Sequence, residues 1–168
     1  MRKNILSLLC CPVCREELSR TGSSLVCPFG HTFDVSRSGY VNLLPPGKEK
    51  NSRTGDEKPM IRARADFLSC GHYDKISSTL ALLASERANI ETVCDMGSGE
   101  GYHTVNIVRR LHEITGDHVI GIGADASKYG AECASKRSKS LGLMAQDGIG
   151  ADFDGEQEAY FIPANIFS

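Results

Sequence analysis

Four potential metal ligands near the N-terminus constrain the fold of this 168-residue chain more than any other feature. Cys11 and Cys14 are separated by two residues, and a second pair, Cys27 and His31, follows after twelve intervening residues. Two ligands at this spacing bind one side of a tetrahedral ion, because a tight turn brings the two side chains together while backbone N–H groups stabilise their charge. The four residues together predict a zinc site with three thiolates and one imidazole.

The predicted zinc site is structural rather than catalytic, because protein ligands fill all four positions and leave none for water. A segment of about 35 residues buries too little apolar surface to fold alone, so the metal would supply its folding free energy. Residues 17–26 predict a hairpin with Gly22 near its tip. The alternative is a set of unrelated buried cysteines. Cys70, Cys94 and Cys133 have no partners at metal spacing and are predicted to lie in the core.

The charge of the chain is distributed unevenly. Residues 1–64 contain 11 Lys or Arg against 6 Asp or Glu, a net charge of +5, whereas the chain as a whole has a net charge of −2. A basic first part joined to an acidic second part indicates a module that faces a polyanion. The alternative is two solvated surfaces of opposite sign.

No apolar run approaches the roughly 18 residues that a membrane helix requires, so no membrane partner is expected. Residues 1–9 resemble a secretory leader only superficially, because their apolar stretch is short and cleavage there would destroy the pair Cys11 and Cys14. Reduced thiols that bind metal are typical of the cytoplasm, which is the predicted location.

The middle of the chain contains a predicted linker and two predicted helices. Residues 46–60 are largely polar and rich in Pro and Gly, which is typical of a linker. Residues 60–68 and 75–87 have helical patterns, and the second helix has an apolar side formed by Ile76, Leu80, Leu82 and Leu83. From the residues alone, His72 and Tyr73 are interpreted as a helix end with a packed ring.

The second half of the chain has the pattern of a nucleotide-binding sheet. Residues 92–96 predict a strand that ends in the glycine loop, residues 97–101, and a helix follows it. A second predicted strand, residues 119–124, ends at Asp125 and precedes another helix. Strand, glycine loop, helix, strand and acid form the first half of a doubly wound α/β sheet.

The composition of the glycine loop favours a cationic ligand. Glycines at a strand end let the backbone approach a ligand closely, and an acid at the end of the next strand accepts hydrogen bonds from ribose hydroxyls. Asp125 stands about where that acid is expected. Asp95 and Glu100 would repel a pyrophosphate, but they suit the sulfonium and amino groups of S-adenosylmethionine. The alternative is a packed turn without a ligand.

Further motifs join the metal-ligand region to the glycine loop. They are Cys27-Pro-Phe-Gly-His31-Thr-Phe33-Asp34, Gly39-Tyr-Val-Asn-Leu-Leu44, Gly55-Asp56, Met60, Ala63-Arg64, Phe67-Leu68, Gly71-His-Tyr73, Asp95-Met-Gly-Ser-Gly-Glu-Gly-Tyr102, Asp125-Ala-Ser-Lys128 and Ala134-Ser-Lys-Arg137. With Cys11-Pro-Val-Cys14, this order resembles the zinc-finger 23S rRNA (guanine-N1)-methyltransferases, which include macrolide-resistance enzymes. The resemblance covers about residues 8–137.

The resemblance implies a methyl transfer from S-adenosylmethionine to N1 of a looped or flipped guanine in a 23S rRNA hairpin. It implies that Cys11, Cys14, Cys27 and His31 bind zinc. The cofactor site is predicted to comprise Tyr73, Asp95, Gly97, Gly99, Glu100, Gly101, Asp125 and Asn165. The predicted RNA contacts are Arg53, Arg62 and Arg64. A homodimer is expected for full-length members. Two other functions stay open: a zinc-dependent RNA-binding fragment without catalysis, and a small-molecule methyltransferase.

The predicted fold is α/β, with a small N-terminal zinc-binding module followed by the first half of a Rossmann-like class I methyltransferase domain. The predicted divisions are an RNA-recognition module at residues 1–45, a linker at 46–60, and a partial S-adenosylmethionine-binding domain at 61–168. Residues 142–157 have the pattern of an insertion, and a further strand is expected at 160–165. The chain ends soon after this strand, where the family continues, so it is expected to be truncated.

Overall fold

The computed structural model describes residues 5–44, 56–87, 89–153, 155 and 157–164. Within this part, a three-stranded antiparallel sheet precedes a three-stranded parallel sheet connected by helices. This arrangement confirms the predicted α/β class and the Rossmann-like half-sheet. Residues 46–55 of the predicted linker, which include Arg53, lie outside the described residues, and so does Asn165.

The N-terminal part is a small antiparallel sheet that is built around the ligand turns. Its elements are a 3-10 helix (Ile5–Leu8), β1 (Ser19–Thr21), β2 (Ser24–Val26) and β3 (Thr32–Asp34). β1 and β2 form the predicted hairpin, in which Thr21 pairs with Ser24. β3 was not predicted and pairs with the other side of β2, where Val26 lies opposite Thr32. This pairing closes the turn between β2 and β3, which contains Cys27 and His31.

Two helices connect the antiparallel sheet to the parallel one. They are α1 (Lys58–Ser69) and α2 (Asp74–Ser85). The first turn of α1 contains Pro59, which is favoured there because its backbone has no N–H to leave unpaired. Because α1 begins at Lys58, its first residues fall within residues 46–60, the interval that was predicted as a linker.

The parallel sheet has the strand order β4-β5-β6. Its elements are β4 (Thr92–Met96), α3 (Tyr102–Thr115), β5 (Val119–Asp125), α4 (Lys128–Ser140) and β6 (Gln157–Pro163). Apolar, β-branched side chains make β5 the buried central strand, as is usual for a parallel sheet covered by helices. β6 is the further strand that was expected at 160–165, but it begins at Gln157. The carboxyl ends of β4 and β5 lie side by side, which sets the glycine loop next to Asp125.

In the described structure, the predicted apolar side of α2 is not the side that packs against the rest of the protein. α2 packs against α3, and the two buried residues of α2 are the small Ser77 and Ala81. Small side chains allow the two helix backbones to approach closely. The larger apolar residues of α2 instead point outward and are about half exposed: Ile76, Leu80, Leu82 and Leu83.

The prediction that three cysteines lie in the core is also wrong. Cys70 and Cys94 are exposed, and Cys133 is half-buried. Cys94 and Met96 alternate with Asp95 along β4, so they lie on the same face of this strand, and that face is exposed in the described structure.

The segment that has the pattern of an insertion packs between the two sheets. Leu143, Met144 and Ile149 are buried in the same hydrophobic cluster as Leu25 of β2 and Tyr160 of β6. The backbone N–H of Ile149 also donates to the carbonyl oxygen of Gly39 at 3.0 Å. The N-terminal part and the parallel sheet therefore share one core.

Candidate functional site

The four predicted metal ligands converge at the turns of the N-terminal sheet. One ligand atom from each of Cys11, Cys14, Cys27 and His31 lies within 4.8 Å of the other three. The Sγ atoms of Cys14 and Cys27 are 3.6 Å apart, and Nδ1 of His31 lies 3.2 Å from Sγ of Cys27. Tetrahedral zinc with bonds of about 2.0–2.3 Å requires ligand separations of roughly 3.5–3.8 Å. The donor set and its spacing therefore fit zinc, with Nδ1 as the imidazole donor.

The pKa values of Cys11 and Cys14 are shifted in opposite directions. Desolvation opposes ionisation of Cys11, but hydrogen bonds from the backbone of Cys14 and Val13 and from neighbouring thiols hold its pKa below the usual value. Desolvation and the adjacent thiols raise the pKa of Cys14 to about 11. Without a cation, charge on Cys11 therefore disfavours charge on Cys14. A divalent cation supplies the missing countercharge, and its binding would release protons.

The glycine loop connects β4 to α3 at the carboxyl edge of the parallel sheet. Gly97, Gly99 and Gly101 all have positive φ values, of 95°, 54° and 77°. At Gly101 an added Cβ atom would lie 2.6 Å from the Phe161 ring and 2.7 Å from Cβ of Ala134, so the site accepts only glycine without rearrangement. The loop therefore lies tightly against the sheet, whereas Gly97 is exposed at its edge.

Asp125 holds the glycine loop from the next strand. Its Oδ2 accepts a hydrogen bond from the Gly99 N–H at 2.9 Å, and its Oδ1 accepts one from the Ser127 N–H at 2.8 Å. Ser127 is the N-cap of α4, and its side chain accepts from the Gly130 N–H. Each carboxylate oxygen keeps a free lone pair, so Asp125 can accept hydrogen bonds from a ligand as well as organise the loop.

Glu100 in the loop forms an ion pair with α1. Its carboxylate is buried, and Oε2 lies 3.0 Å from Nε of Arg64. Nη1 of the same arginine lies 2.5 Å from Oδ2 of Asp56. Arg64, predicted as an RNA contact, thus lies at the predicted cofactor loop. A buried carboxylate requires such a partner because desolvation of an unpaired charge is costly.

The remaining predicted cofactor residues lie around this loop or next to it. Asp95 accepts a hydrogen bond from the Thr104 hydroxyl at 2.5 Å, which ties the end of β4 to the first turn of α3. Tyr73 is the N-cap of α2 and is 42% exposed. Its neighbour Asp74 accepts a hydrogen bond from the hydroxyl of Tyr102, the residue after the glycine loop. Tyr73 is therefore close to the carboxyl edge of the sheet.

The other predicted RNA contact in the described part of the chain is Arg62. Its Nε donates to the Tyr129 hydroxyl at 2.6 Å, and its guanidinium lies over the Tyr129 ring at 5.6 Å from the centroid. Lys58 lies over the same ring at 5.4 Å. Two cations of α1 therefore meet at the beginning of α4.

Sequence reasoning missed several contacts at the predicted site and next to it. Thr104, Asp74 and Tyr129 hold Asp95, Tyr102 and Arg62 through contacts distant in the chain. For Thr104 the signal was present, because the first turn of the helix after a glycine loop necessarily faces the end of the preceding strand. For Asp74 and Tyr129 no local pattern indicated the pairing.

Within the described residues, no helix is long and apolar enough to cross a membrane.

Comparisons with known proteins agree in pointing to one family. Residues 9–53 match the family model of the RlmA N-terminal zinc ribbon. The chain is 37% identical over 119 residues to the 23S rRNA (guanine(748)-N(1))-methyltransferase of Streptomyces fradiae, which covers 69% of this chain and 41% of that protein. It is 34% identical over 168 residues to YxjB of Bacillus subtilis (strain 168), provisionally named a 23S rRNA (guanine-N(1)-)-methyltransferase, covering 96% of this chain and 57% of that protein.

A third relative, from Micromonospora griseorubida, has the same provisional name and is 31% identical over 166 residues, which cover 88% of this chain and 54% of the relative. The chain thus spans about half the length of the curated relatives it matches. The ribbon match includes all four ligands of the metal cluster, and the longer matches continue into the parallel sheet. Residues 9–53 belong to the family of the RlmA N-terminal zinc ribbon, and most of the chain is similar to proteins named as 23S rRNA (guanine-N1)-methyltransferases.

Proposed function

We propose that this chain supplies the zinc ribbon and the donor site of an S-adenosylmethionine-dependent methyltransferase that acts on N1 of a guanine in 23S rRNA. The observation that carries the proposal is the contact between Gly99 and Asp125 at the carboxyl edge of the parallel sheet. In open α/β sheets, ligands bind at this edge. The division into a zinc module at residues 1–45, a linker at 46–60 and a donor-binding domain at 61–168 is part of the proposal.

The donor would bind between the glycine loop and Asp125. The proposed contacts are Tyr73, Asp95, Gly97, Gly99, Glu100, Gly101, Asp125 and Asn165. The N–H of Ala164 donates to the carbonyl oxygen of Asp125 at 2.9 Å, and Asn165 is the next residue in the sequence. When bound, S-adenosylmethionine supplies the methyl group from a positively charged sulfur. Acidic side chains at the loop favour a ligand with that charge, and Asp125 orients its ribose hydroxyls.

The RNA would contact the zinc ribbon and the basic residues Arg53, Arg62 and Arg64. Guanine N1 is inaccessible inside a paired helix, so a looped or flipped base in a 23S rRNA hairpin is the expected substrate. Guanine N1 carries a proton at neutral pH, so a base must accept that proton when the methyl group is transferred and S-adenosylhomocysteine leaves. Positioning of the guanine and the donor is the larger part of the catalysis. A cytoplasmic location and a homodimeric full-length form are part of the same proposal.

The reaction is tested by incubating the chain with methyl-labelled S-adenosylmethionine and 23S rRNA. Label recovered at N1 of a guanine supports the proposal. No label in RNA, and no binding of the donor, would overturn it. Labelling of a metabolite rather than RNA would favour the small-molecule methyltransferase.

A second candidate function is zinc-dependent RNA binding without turnover. The net charge of +5 over residues 1–64 favours this candidate, because a basic surface attracts the phosphates of RNA whether or not methyl transfer follows. Under this candidate an rRNA hairpin binds with an affinity that falls steeply as the salt concentration rises. RNA would then stay unlabelled even though the chain binds both RNA and donor.

A further inference from the structure

One cation of α1 reaches directly over the glycine loop. Nε and Nη1 of Arg64 donate to Glu100 and Asp56, at 3.0 Å and 2.5 Å. Its Nη2 has no hydrogen-bond partner in the described part of the chain. The two carboxylates fix the guanidinium plane, so the free Nη2 has a defined direction.

The free edge of this guanidinium faces the backbone of the loop. A Cβ atom added to Gly99 would lie 3.0 Å from Nη2 of Arg64 and 3.5 Å from Cζ. Nη2 therefore lies against the backbone of Gly99, at a distance that leaves no room for a side chain, while the Arg64 side chain as a whole is 42% exposed. Gly99 also donates its N–H to Asp125, so one residue separates the open guanidinium edge from the carboxylate proposed to hold the ribose.

The surroundings of Arg64 are otherwise acidic. Glu100 lies in the loop, and Asp125 accepts a hydrogen bond from the Gly99 N–H. Asp56 pairs with Arg64 itself, and Asp95 precedes the loop by two residues in the chain. A second cation, Arg137, lies over the ring of Tyr102, which follows the loop, at 5.4 Å from the ring centroid. Of the charged side chains for which a contact with the loop is described above, Glu100 and Asp125 would repel an anionic group of a ligand, and Arg64 would attract it.

S-adenosylmethionine has two cationic groups and one anion, the α-carboxylate of its amino-acid part. Acidic side chains can receive the cations, but the carboxylate requires a cationic donor. We propose that Arg64 binds this carboxylate through Nη2 and thereby determines the specificity of the site for a donor that carries one. The inference rests on the proposed function, because it assumes that S-adenosylmethionine binds at the glycine loop.

The test compares S-adenosylmethionine with its decarboxylated analogue in titration calorimetry with the zinc-loaded chain. Arg64→Met should weaken binding of S-adenosylmethionine by about 10- to 100-fold, the usual effect of losing a hydrogen bond between charged groups. The same variant should change the affinity for the analogue by less than about 3-fold. Arg64→Lys keeps the charge and should recover part of the preference. Arg110→Met, which removes an exposed arginine paired with Glu113 on α3, is the matched control and should change neither affinity.

The ratio of the two affinities separates recognition from folding, because a misfolded variant loses both ligands alike. Equal binding of both ligands to the unaltered chain would overturn the inference and leave the proposed function standing. An equal loss of both in Arg64→Met would also overturn it. If Arg137→Met abolishes the preference and Arg64→Met does not, Arg137 has the assigned role and the inference is wrong. If neither ligand binds the unaltered chain, the proposed function and this inference are overturned together.

Discussion

Individual residues at the glycine loop serve the fold and the proposed site at once. Asp125 accepts hydrogen bonds from the backbone of Gly99 and of Ser127, the residue before α4. Asp95 accepts a hydrogen bond from the first turn of α3. The carboxylates that favour a cationic ligand are therefore held by the protein's own donors before any ligand binds. Such preorganisation lowers the cost of ordering the site on binding.

Gly101→Ala should destabilise the chain more than Gly116→Ala does. Both residues have positive φ, which costs a non-glycine residue about 1–3 kcal/mol. An alanine methyl at Gly101 would also collide with Phe161, whereas nothing lies within 4 Å of the position at Gly116. Overpacking of this kind adds about 1–3 kcal/mol. Denaturant unfolding of both variants measures the difference, and equal losses would contradict the tight packing of the loop.

Tyr102→Phe should lower the free energy of unfolding by about 1.5–3 kcal/mol at neutral pH, the usual value of a hydrogen bond to a charged group. Burial and then the Asp74 carboxylate raise the pKa of Tyr102 from 10.0 to about 12. Because the folded-state pKa is raised, the stability that this hydroxyl contributes is complete below pH 10 and is lost as the pH rises towards 12. The difference between the unaltered chain and the variant should therefore shrink across that interval. A constant difference at pH 7 and pH 11.5 would contradict the pairing.

The metal ligands and the loop were predictable from sequence, but the ion pair at the loop was not. Ligand spacing and strand–glycine–helix order are local patterns, so Cys11, Cys14 and Asp125 could be assigned directly. The contact between Arg64 and Glu100 joins residues 36 positions apart. It depends on how α1 lies across the sheet edge, and the helical pattern of α1 does not specify that position.

At the scale of elements, residues 142–151 fasten the N-terminal sheet to the parallel one. The Arg20 guanidinium of β1 donates to the carbonyl oxygens of Ile149 at 2.5 Å and Asp147 at 2.9 Å. The Lys139 ammonium at the end of α4 donates to the carbonyl oxygens of Arg37 and Gln146. Sequence reasoning placed an insertion here but could not show what it covers, because its buried residues are not periodic.

Arg20→Met should weaken the contact between residues 142–151 and the N-terminal sheet, and should leave the parallel sheet unaffected. Loss of the charged donor leaves backbone carbonyls of residues 147–149 without their partner, and we expect a loss of stability of about 1 kcal/mol, since the pair is partly exposed. Amide hydrogen exchange should become faster in residues 143–151 and stay unchanged in β5. Arg110→Met is the control of matched chemistry. Unchanged exchange in the segment would contradict the role assigned to Arg20.

The apolar side of α2 shows a limit of pattern reasoning at this scale. The helical spacing of Ile76, Leu80 and Leu83 marks a face that prefers burial, but Ser77 and Ala81 form the contact with α3. The sequence pattern identifies which side chains of a helix are apolar. It does not determine which side of the helix packs against a neighbouring element. In the described structure the face of α2 that contains Ile76, Leu80 and Leu83 is therefore apolar and exposed.

At the scale of the whole molecule, one core links metal binding to the parallel sheet. The metal ligands Cys11 and Cys27 belong to the same hydrophobic cluster as Tyr160 and Phe161 of β6. The sequence predicted separate modules because a polar, Pro- and Gly-rich stretch lies between them. Such a stretch indicates that the chain is not regular between the two parts, but it does not determine whether the two parts pack against each other.

Removal of zinc by a chelator should therefore affect β6 as well as the N-terminal sheet. Metal-free ligand turns lose the free energy that holds β1, β2 and β3 together, and the shared core then opens to water. Hydrogen exchange before and after chelation measures this, and unchanged protection in β6 would show that the two parts are independent. Cys27→Ser should lose the zinc, whereas Cys94→Ser, which alters an exposed cysteine outside the cluster, should retain one equivalent.

Titration of the zinc-loaded chain with S-adenosylmethionine tests most directly whether the loop and Asp125 form a donor site. A saturable heat with one ligand per chain is expected, and Asp125→Asn should weaken it by at least about 10-fold, since the variant loses a charged hydrogen-bond acceptor. The absence of saturable heat from chain that contains one zinc per molecule would contradict the account.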